Sequence, residues 1–505
     1  MTAPATAPLP DWLAQRATTT PARVALLADG TSWSFAALDA AVTRLAHRLA
    51  AAGVRAGDRV AMLLRNGAGA EMLPHATLRL GATVVPLNVR LGDTELAWQL
   101  KDCGARLLVA DARTLDAAER ANRQHGITLV NLDAPDASAS ADIEVEIELE
   151  HDPTHVLALI YTSGTTGEPK GAMLTVSNFW WSAIGSALNL GTHADDRWLA
   201  ALPLFHVGGL SIVMRATIYG ITAVVHDGFD ADAVNHAIEH DRVTMVSVVA
   251  VTLQRMLDAW GERAYPAWLR CVLLGGGPAP RPLLERCARF DIPVVQTYGL
   301  TETTSQLATL APDDALRKLG SAGRAIYPNA LRVVDADDAD VAPGAAGEIV
   351  VRGPVVMAGY AERPEATERA MRGGWLHTGD VGTLDADGYL YVLDRRDDLV
   401  VTGGENVYPA EVEAALLAHA AVAEAGVIGV PDDTWGQRVV AIVRVHDGES
   451  IDGDALVAHC RSRLARYKAP SEILIVADPL PRTASGKLRR SALREHHSTH
   501  FTRRP

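Results

Sequence analysis

Cysteine is scarce in this chain of 505 residues. Cys103, Cys271, Cys287 and Cys460 stand alone, without the paired spacing of a metal site or a redox motif. They read as reduced core thiols, which predicts a cytoplasmic protein. Basic residues are outnumbered: the formal net charge is −14. That argues against a nucleic-acid partner, because phosphate backbones are bound by a basic face. An anionic small molecule would have to be met by lysines and arginines placed locally. No apolar run is long enough to span a bilayer. The opening Met-Thr-Ala-Pro-Ala-Thr-Ala-Pro has neither the basic start nor the apolar core of a secretory signal. Internal repeats are absent from the sequence. What remains is an ordinary globular composition, 48% hydrophobic and 21% charged. At this length one hydrophobic core does not suffice, so two or more domains are expected.

Strand-like and helical patterns alternate along the first part of the chain. Ser34 is placed to cap a helix whose Leu38, Val42, Leu45 and Leu49 repeat at helical spacing, and Gly53 ends it. Apolar strands are expected at residues 60–64, 83–87 and 107–110. This alternation predicts α/β layers with largely parallel sheets. Residues 133–152 are rich in Asp, Glu, Ala and Ser and read as an exposed, partly mobile connection. The charged run Asp394-Arg-Arg-Asp-Asp398 marks a boundary. Beyond it, strands at 399–401, 427–430, 439–445 and 473–476 and a helix at 454–464 make a smaller α+β unit. Pro409 suits the first turn of a further helix. The expected division is 1–394 and 395–505.

One segment carries more chemistry than any other: Tyr161-Thr-Ser-Gly-Thr-Thr-Gly-Glu-Pro-Lys-Gly171. The apolar run Val156–Ile160 before it reads as a buried strand. Glycines let a backbone approach phosphate oxygens closely. Exposed N–H groups form an anion nest, hydroxyls add donors, and Lys170 adds a charge. The glycine spacing is not that of a Walker loop.

This loop resembles the signature of the adenylate-forming superfamily, which includes acyl-CoA synthetases, luciferases and peptide-synthetase adenylation domains. The resemblance recurs in order along the chain. Its further segments are Leu202-Pro-Leu-Phe-His-Val207, Leu273-Leu-Gly-Gly-Gly-Pro-Ala-Pro280, Val294-Val-Gln-Thr-Tyr-Gly-Leu-Thr-Glu302, Trp375-Leu-His-Thr-Gly-Asp380 and Pro481-Arg-Thr-Ala-Ser-Gly-Lys487. It implies a large N-terminal domain of layered sheets and helices with a small mobile C-terminal domain. It also implies a two-step reaction: a carboxylate takes AMP from ATP, and a thiol then displaces the AMP.

The resemblance assigns roles residue by residue. Thr162, Ser163, Gly164, Thr165, Thr166 and Lys170 would hold the β- and γ-phosphates. Gly276, Gln296, Thr297 and Tyr298 would line the adenine site, with Tyr298 stacked on the base. Thr301 would bond the α-phosphate and Glu302 would hold Mg²⁺. Asp380 and Arg395 would bind the ribose. His206 would stand at the mouth of the acyl pocket. Lys487 would bridge carboxylate and α-phosphate, Asp397 would be the hinge, and the Gly403–Gly404 face would line a thiol tunnel. Trp435, Arg466 and Lys468 are candidates for the nucleotide end of CoA. From residues alone, His206 reads as a packing residue, Asp380 as a turn cap, and Lys487 as a member of a basic tail with Arg489 and Arg490.

Only 18 residues follow Lys487, which predicts no fused carrier domain and favours free CoA. Within the superfamily, residues 178–191, 203–215 and 253–256 resemble the o-succinylbenzoate–CoA ligases of menaquinone biosynthesis. Residues 247–252 depart from that subfamily's small-residue pattern. The acyl pocket is expected from Ser211, Arg215, Val249, Gly275 and residues just after Glu302. Arg215 lies in an apolar helical stretch, one turn from Ser211. A buried arginine needs an anionic partner, either structural or the second carboxylate of a dicarboxylic substrate. A CoA ligase for another aryl, fatty or dicarboxylic acid is the alternative, and a non-catalytic nucleotide-binding relative a further one. The oligomeric state is left open, a homo-oligomer included.

Overall fold

The computed structural model describes residues 7–135, 146–162, 169–276, 279, 281–314, 317–395, 398–402, 405–432, 436–464, 466–483, 486 and 488–502. Two large sheets dominate the first part. One has seven strands, in the order Gly359–Tyr360, Lys170–Thr175, Val156–Thr162, Thr83–Pro86, Arg59–Leu63, Leu107–Ala110 and Thr128–Asn131. The other has nine, from Arg324–Ala325 through Ala308–Thr309, Val294–Tyr298, Cys271–Leu274, Met245–Val248, Arg197–Ala200, Thr222–Val225 and Val24–Ala28 to Thr31–Ser34. Their central strands are parallel. Leu107–Ala110 is buried throughout, as expected of a strand covered on both faces.

The expected local signals hold. The Ser34 hydroxyl accepts from the Ala37 amide at 3.2 Å and caps the helix Phe35–Ala51. Pro409 opens the helix Pro409–Leu417. The smaller unit has a five-stranded sheet of Glu405–Val407, Val400–Thr402, Gly436–Val445, Val422–Asp432 and Glu472–Val476, with the helix Gly453–Arg461. Its buried clusters are separate from those of the first part: one set stops at Val392 and the other starts at Val400.

Two readings are corrected. Between residues 330 and 395 the chain forms a third, antiparallel sheet of Ala330–Val334, Gly347–Arg352, Trp375–Leu384, Met371–Arg372 and Leu390–Arg395, which the α/β pattern did not foretell. The end of the supposed loose connection is structured. Glu150–His151 pairs with Leu9–Pro10, and buried His151 contacts the Asp11 carboxylate at 3.3 Å. Residues 136–145 of that connection lie outside the described residues.

Candidate active site

Four of the singled-out segments converge because of the strand order. Val294–Tyr298, Cys271–Leu274, Met245–Val248 and Arg197–Ala200 are consecutive parallel neighbours. Tyr298 ends the first, Gly275 follows the second and Val249 the third. His206 lies beyond the fourth, where it precedes the helix Val207–Tyr219. All four therefore sit at the carboxyl edge of one sheet, the edge where open α/β sheets bind ligands.

The other sheet contributes the hairpin Val156–Thr162 and Lys170–Thr175, whose tip, residues 163–168, lies outside the described residues. Ser163, Gly164, Thr165 and Thr166 belong to that tip. Thr162 is half-buried and donates to the Lys170 carbonyl at 3.4 Å. The Lys170 ammonium lies 5.4 Å from the centre of the Tyr360 ring. The Tyr360 hydroxyl donates to Glu302 Oε1 at 2.8 Å. Through Tyr360, the hairpin meets the Glu302 loop.

That loop is a short turn of helix, Thr301–Thr303. It requires Gly299, because a Cβ there would fall 1.5 Å from the Ser305 carbonyl oxygen. Asp380 is a strand residue in Trp375–Leu384, not a turn cap. It is 5% exposed and accepts from the Tyr298 hydroxyl at 2.7 Å. Its strand neighbour is Arg395, whose side chain lies outside the description. Gln296 and Thr297 spend their side chains within the protein. The Gln296 amide donates to the Ser321 carbonyl at 3.1 Å. The Thr297 hydroxyl donates to the Ala308 carbonyl at 3.1 Å. Gly276 has φ +83°.

The segments expected to line the acyl pocket surround a buried charge. Arg215 is 2% exposed, and Nη2 donates to Ser182 Oγ at 2.8 Å. Ser182 in turn donates to the Thr304 carbonyl at 2.7 Å. The guanidinium carbon lies 5.8 Å from the Trp198 ring centre. Among the described residues no carboxylate pairs with Arg215, and its Nε has no hydrogen-bond partner. Burial pulls its pKa down to about 10. Ser211 Oγ, one turn away, is also without a partner, as are both amide atoms of buried Gln306. Gln306 was not named from sequence; its place just after Glu302 was the available signal.

The small unit reaches this edge through Gly486. A Cβ there would lie 3.1 Å from a Val249 methyl and 3.3 Å from one of Val251. Lys487, Asp397, Gly403, Gly404 and Trp435 lie outside the described residues. Arg466 is exposed. Lys468 is held by both Glu411 oxygens at 2.8 Å. Arg490, far from being a loose basic residue, bridges Glu413 at 2.8 Å and Asp398 at 3.1 Å.

Taken together, a cation, a carboxylate and hydroxyl donors at one edge suit a metal-bound polyphosphate, and the buried Arg215 is tied to the neighbouring loop through Ser182 and the Thr304 carbonyl. The model of the AMP-binding enzyme family matches residues 13–361, and that of the AMP-binding enzyme C-terminal domain matches residues 411–487. The chain belongs to this family of adenylate-forming enzymes. A 2–succinylbenzoate–CoA ligase of Geobacillus kaustophilus is 52% identical over 96% of this chain and 97% of its own. The o-succinylbenzoate CoA synthetase of Bacillus subtilis, solved with its acyl-adenylate intermediate, is 44% identical and superimposes with TM-score 0.91, covering 97% of this chain and 98% of the other. The same enzyme has been solved with ATP and a magnesium ion, at TM-score 0.90 and 44% identity, covering 96% of this chain and 100% of that one. A double mutant of it, bound to a product analogue, matches at TM-score 0.75 with the same 44% identity, covering 97% of this chain and 99% of the other.

Proposed function

We propose that the protein is an AMP-forming ligase that converts ATP, o-succinylbenzoate and CoA to o-succinylbenzoyl-CoA, AMP and diphosphate. One observation carries the choice of acid. Arg215 is a buried guanidinium in the acyl segment with no carboxylate partner among the described residues. A dicarboxylic acid supplies that partner, since one carboxylate reacts and the other remains. A fatty acid would leave the guanidinium buried against hydrocarbon, at a large desolvation cost. The names of the relatives agree with this reading.

The residues fit Mg²⁺ as well as ATP. Glu302 is one half-buried carboxylate with one oxygen held by Tyr360, and Mg²⁺ is commonly bound by one or two carboxylates plus substrate phosphates. When bound, Mg²⁺ neutralises charge on the phosphates. Lys170 and the signature loop hold the β- and γ-phosphates, Thr301 the α-phosphate, and Asp380 with Arg395 the ribose. The reacting carboxylate is already ionised at neutral pH. Its oxygen forms a bond to the α-phosphorus as the bond to diphosphate breaks, and Lys487 stabilises the charge that gathers there. The thiol sulfur of CoA then bonds to the acyl carbon, AMP departs with the bonding pair, and the thiol proton goes to solvent.

The two steps need two faces of the small domain, divided from the large one at residue 394. Gly486 against Val249 matches the first step. The fall from 0.91 to 0.75 between two complexes of one relative, at equal identity, supports a second arrangement. Rotation about Asp397 would withdraw Lys487 and bring Gly403–Gly404 forward. That double mutant carries an introduced arginine and lysine two positions apart. Arg466 and Lys468 have this spacing, and with Trp435 they are the candidates for the nucleotide end of CoA.

Among the described residues no helix is long and apolar enough to cross a membrane, and all four cysteines are free and buried. Both favour a cytoplasmic enzyme. The test is acid-dependent exchange of labelled diphosphate into ATP. Exchange should require o-succinylbenzoate and proceed without CoA. No exchange with this acid, in a preparation that exchanges with another, would refute the substrate.

A further inference from the structure

The segment Met357–Arg363 follows the third sheet's strand Gly347–Arg352 and crosses to the seven-stranded sheet. There Gly359–Tyr360 pairs with the Lys170 strand. Its backbone is fastened at both ends. The Met357 amide donates to the Glu302 carbonyl at 2.9 Å, and the Ala361 amide to the Gly171 carbonyl at 2.8 Å. Its side chains continue the pattern. Tyr360 carries Lys170 over its ring and donates a hydrogen bond to Glu302. Arg363 pairs with Asp102 at 2.5 Å, and the other Asp102 oxygen accepts from the Tyr161 hydroxyl at 2.7 Å. Tyr161 opens the signature loop and Lys170 closes it. One short segment thus grips both sides of the loop and the Glu302 carboxylate.

We propose that Tyr360 is a positioning residue that sets Lys170 and Glu302 in register for the metal–polyphosphate. The inference rests on the reading of Lys170 and Glu302 given above. A phenol donating to one carboxylate oxygen fixes the carboxylate plane and leaves the second oxygen for a cation. A ring face beneath an ammonium attracts it by its quadrupole and takes no hydrogen-bond donor from it. All three ammonium protons remain for phosphate oxygens. Tyr360 touches neither reacting atom. Its effect is confined to how two charged groups meet ATP.

The test compares Tyr360→Phe, Tyr360→Leu and Glu302→Gln with the wild type. Calorimetry measures ATP binding with and without Mg²⁺ in the absence of acid, and stopped assays follow each half-reaction. Tyr360→Phe keeps the ring and loses the donor. The Mg²⁺-dependent gain in ATP affinity should fall about tenfold, as for a lost hydrogen bond to a charged group, while affinity without Mg²⁺ holds. Tyr360→Leu also removes the seat of Lys170 and should weaken ATP binding in both conditions. Thioester formation from pre-made acyl-adenylate should be unchanged in both variants, and their melting curves should match the wild type. If Tyr360→Phe retains the full Mg²⁺ effect while Glu302→Gln loses it, the positioning role is refuted and the Glu302 assignment stands. If Glu302→Gln retains the Mg²⁺ effect, the underlying assignment fails and the proposal falls with it. Equal loss of both half-reactions in Tyr360→Phe would make the residue merely structural and also refute the proposal.

Discussion

Replacing Arg215 by methionine separates a recognition role from a structural one. The substitution keeps a long apolar side chain at a buried position and removes the charge. In the ligand-free fold that charge is a burden. Burial lowers its pKa from 12.5 to about 10. At about 1.36 kcal/mol per unit, desolvation costs the charged form roughly 3 kcal/mol. The hydrogen bond to Ser182 and the ring of Trp198 recover part of this. Removing the charge should therefore leave the stability of the ligand-free enzyme unchanged or raise it. With o-succinylbenzoate bound, the balance reverses. The second carboxylate would be buried without its partner, a loss of about 3–5 kcal/mol, or roughly two to four decades in kcat/KM. A monocarboxylate of similar shape should lose little, and the KM for ATP should hardly move. The assay is kcat/KM for both acids in wild type and Arg215→Met, with thermal melts of each. Equal loss for the two acids, together with a lower melting temperature, would refute the reasoning. Arg215 would then be part of the scaffold.

Lys487→Ala should abolish adenylation and spare thioester formation from supplied acyl-adenylate; equal damage to both steps would remove its assigned role. Asp397→Pro, which fixes φ near about −65°, should harm the thiol step more than adenylation, and equal loss in a folded variant would count against alternation at this hinge. A fourth prediction concerns pH. Buried Glu71 faces His75 at 3.6 Å, and burial raises the Glu71 pKa to about 8 and lowers that of His75 to about 4. A raised carboxyl pKa means that the folded state holds the proton that the unfolded chain releases above 4.5. Its stabilisation is full below that value and is lost as pH rises to about 8. The His75 term runs the other way, with stability lost as pH falls from 6.5 toward about 4. Denaturant midpoints between pH 6.5 and 8 should therefore fall in wild type and flatten in Glu71→Gln, and parallel curves would contradict the prediction.

How much was legible follows from how local each signal is. Ser34, Pro409 and the Leu107–Ala110 run act within a few residues of themselves, and each does as its sequence implies. The convergence of Tyr298, Gly275, Val249 and His206 follows from parallel strands whose helical crossovers return each chain end to one edge. The antiparallel sheet was hidden because Ala330–Val334 carries an arginine mid-strand and Met371–Arg372 is two residues long. Their partners, not their composition, make them strands. The Leu9–Pro10 and Glu150–His151 pair is fixed across 140 residues of chain, as the His151 contact with Asp11 shows. Tyr360 escaped because nothing in a tyrosine after a glycine announces chemistry. Its meaning lies in Lys170, brought beside it by the pairing of two strands, and in Glu302, whose carbonyl accepts from the Met357 amide of the same segment. Gln306 is partly similar: its place just after Glu302 hinted at the acyl pocket, but its burial without side-chain partners shows only in the fold.

On the proposed function, one buried cation, Arg215, selects a dicarboxylic acid for transfer to CoA. The most direct measurement offers the enzyme ATP, Mg²⁺ and CoA with an equimolar mixture of o-succinylbenzoate, benzoate, malonate and a long-chain fatty acid. Mass spectrometry then identifies the acyl-CoA formed. The account predicts o-succinylbenzoyl-CoA as the dominant product, with one AMP released per thioester and no ADP. A different acyl-CoA in excess, or ADP in place of AMP, would contradict it.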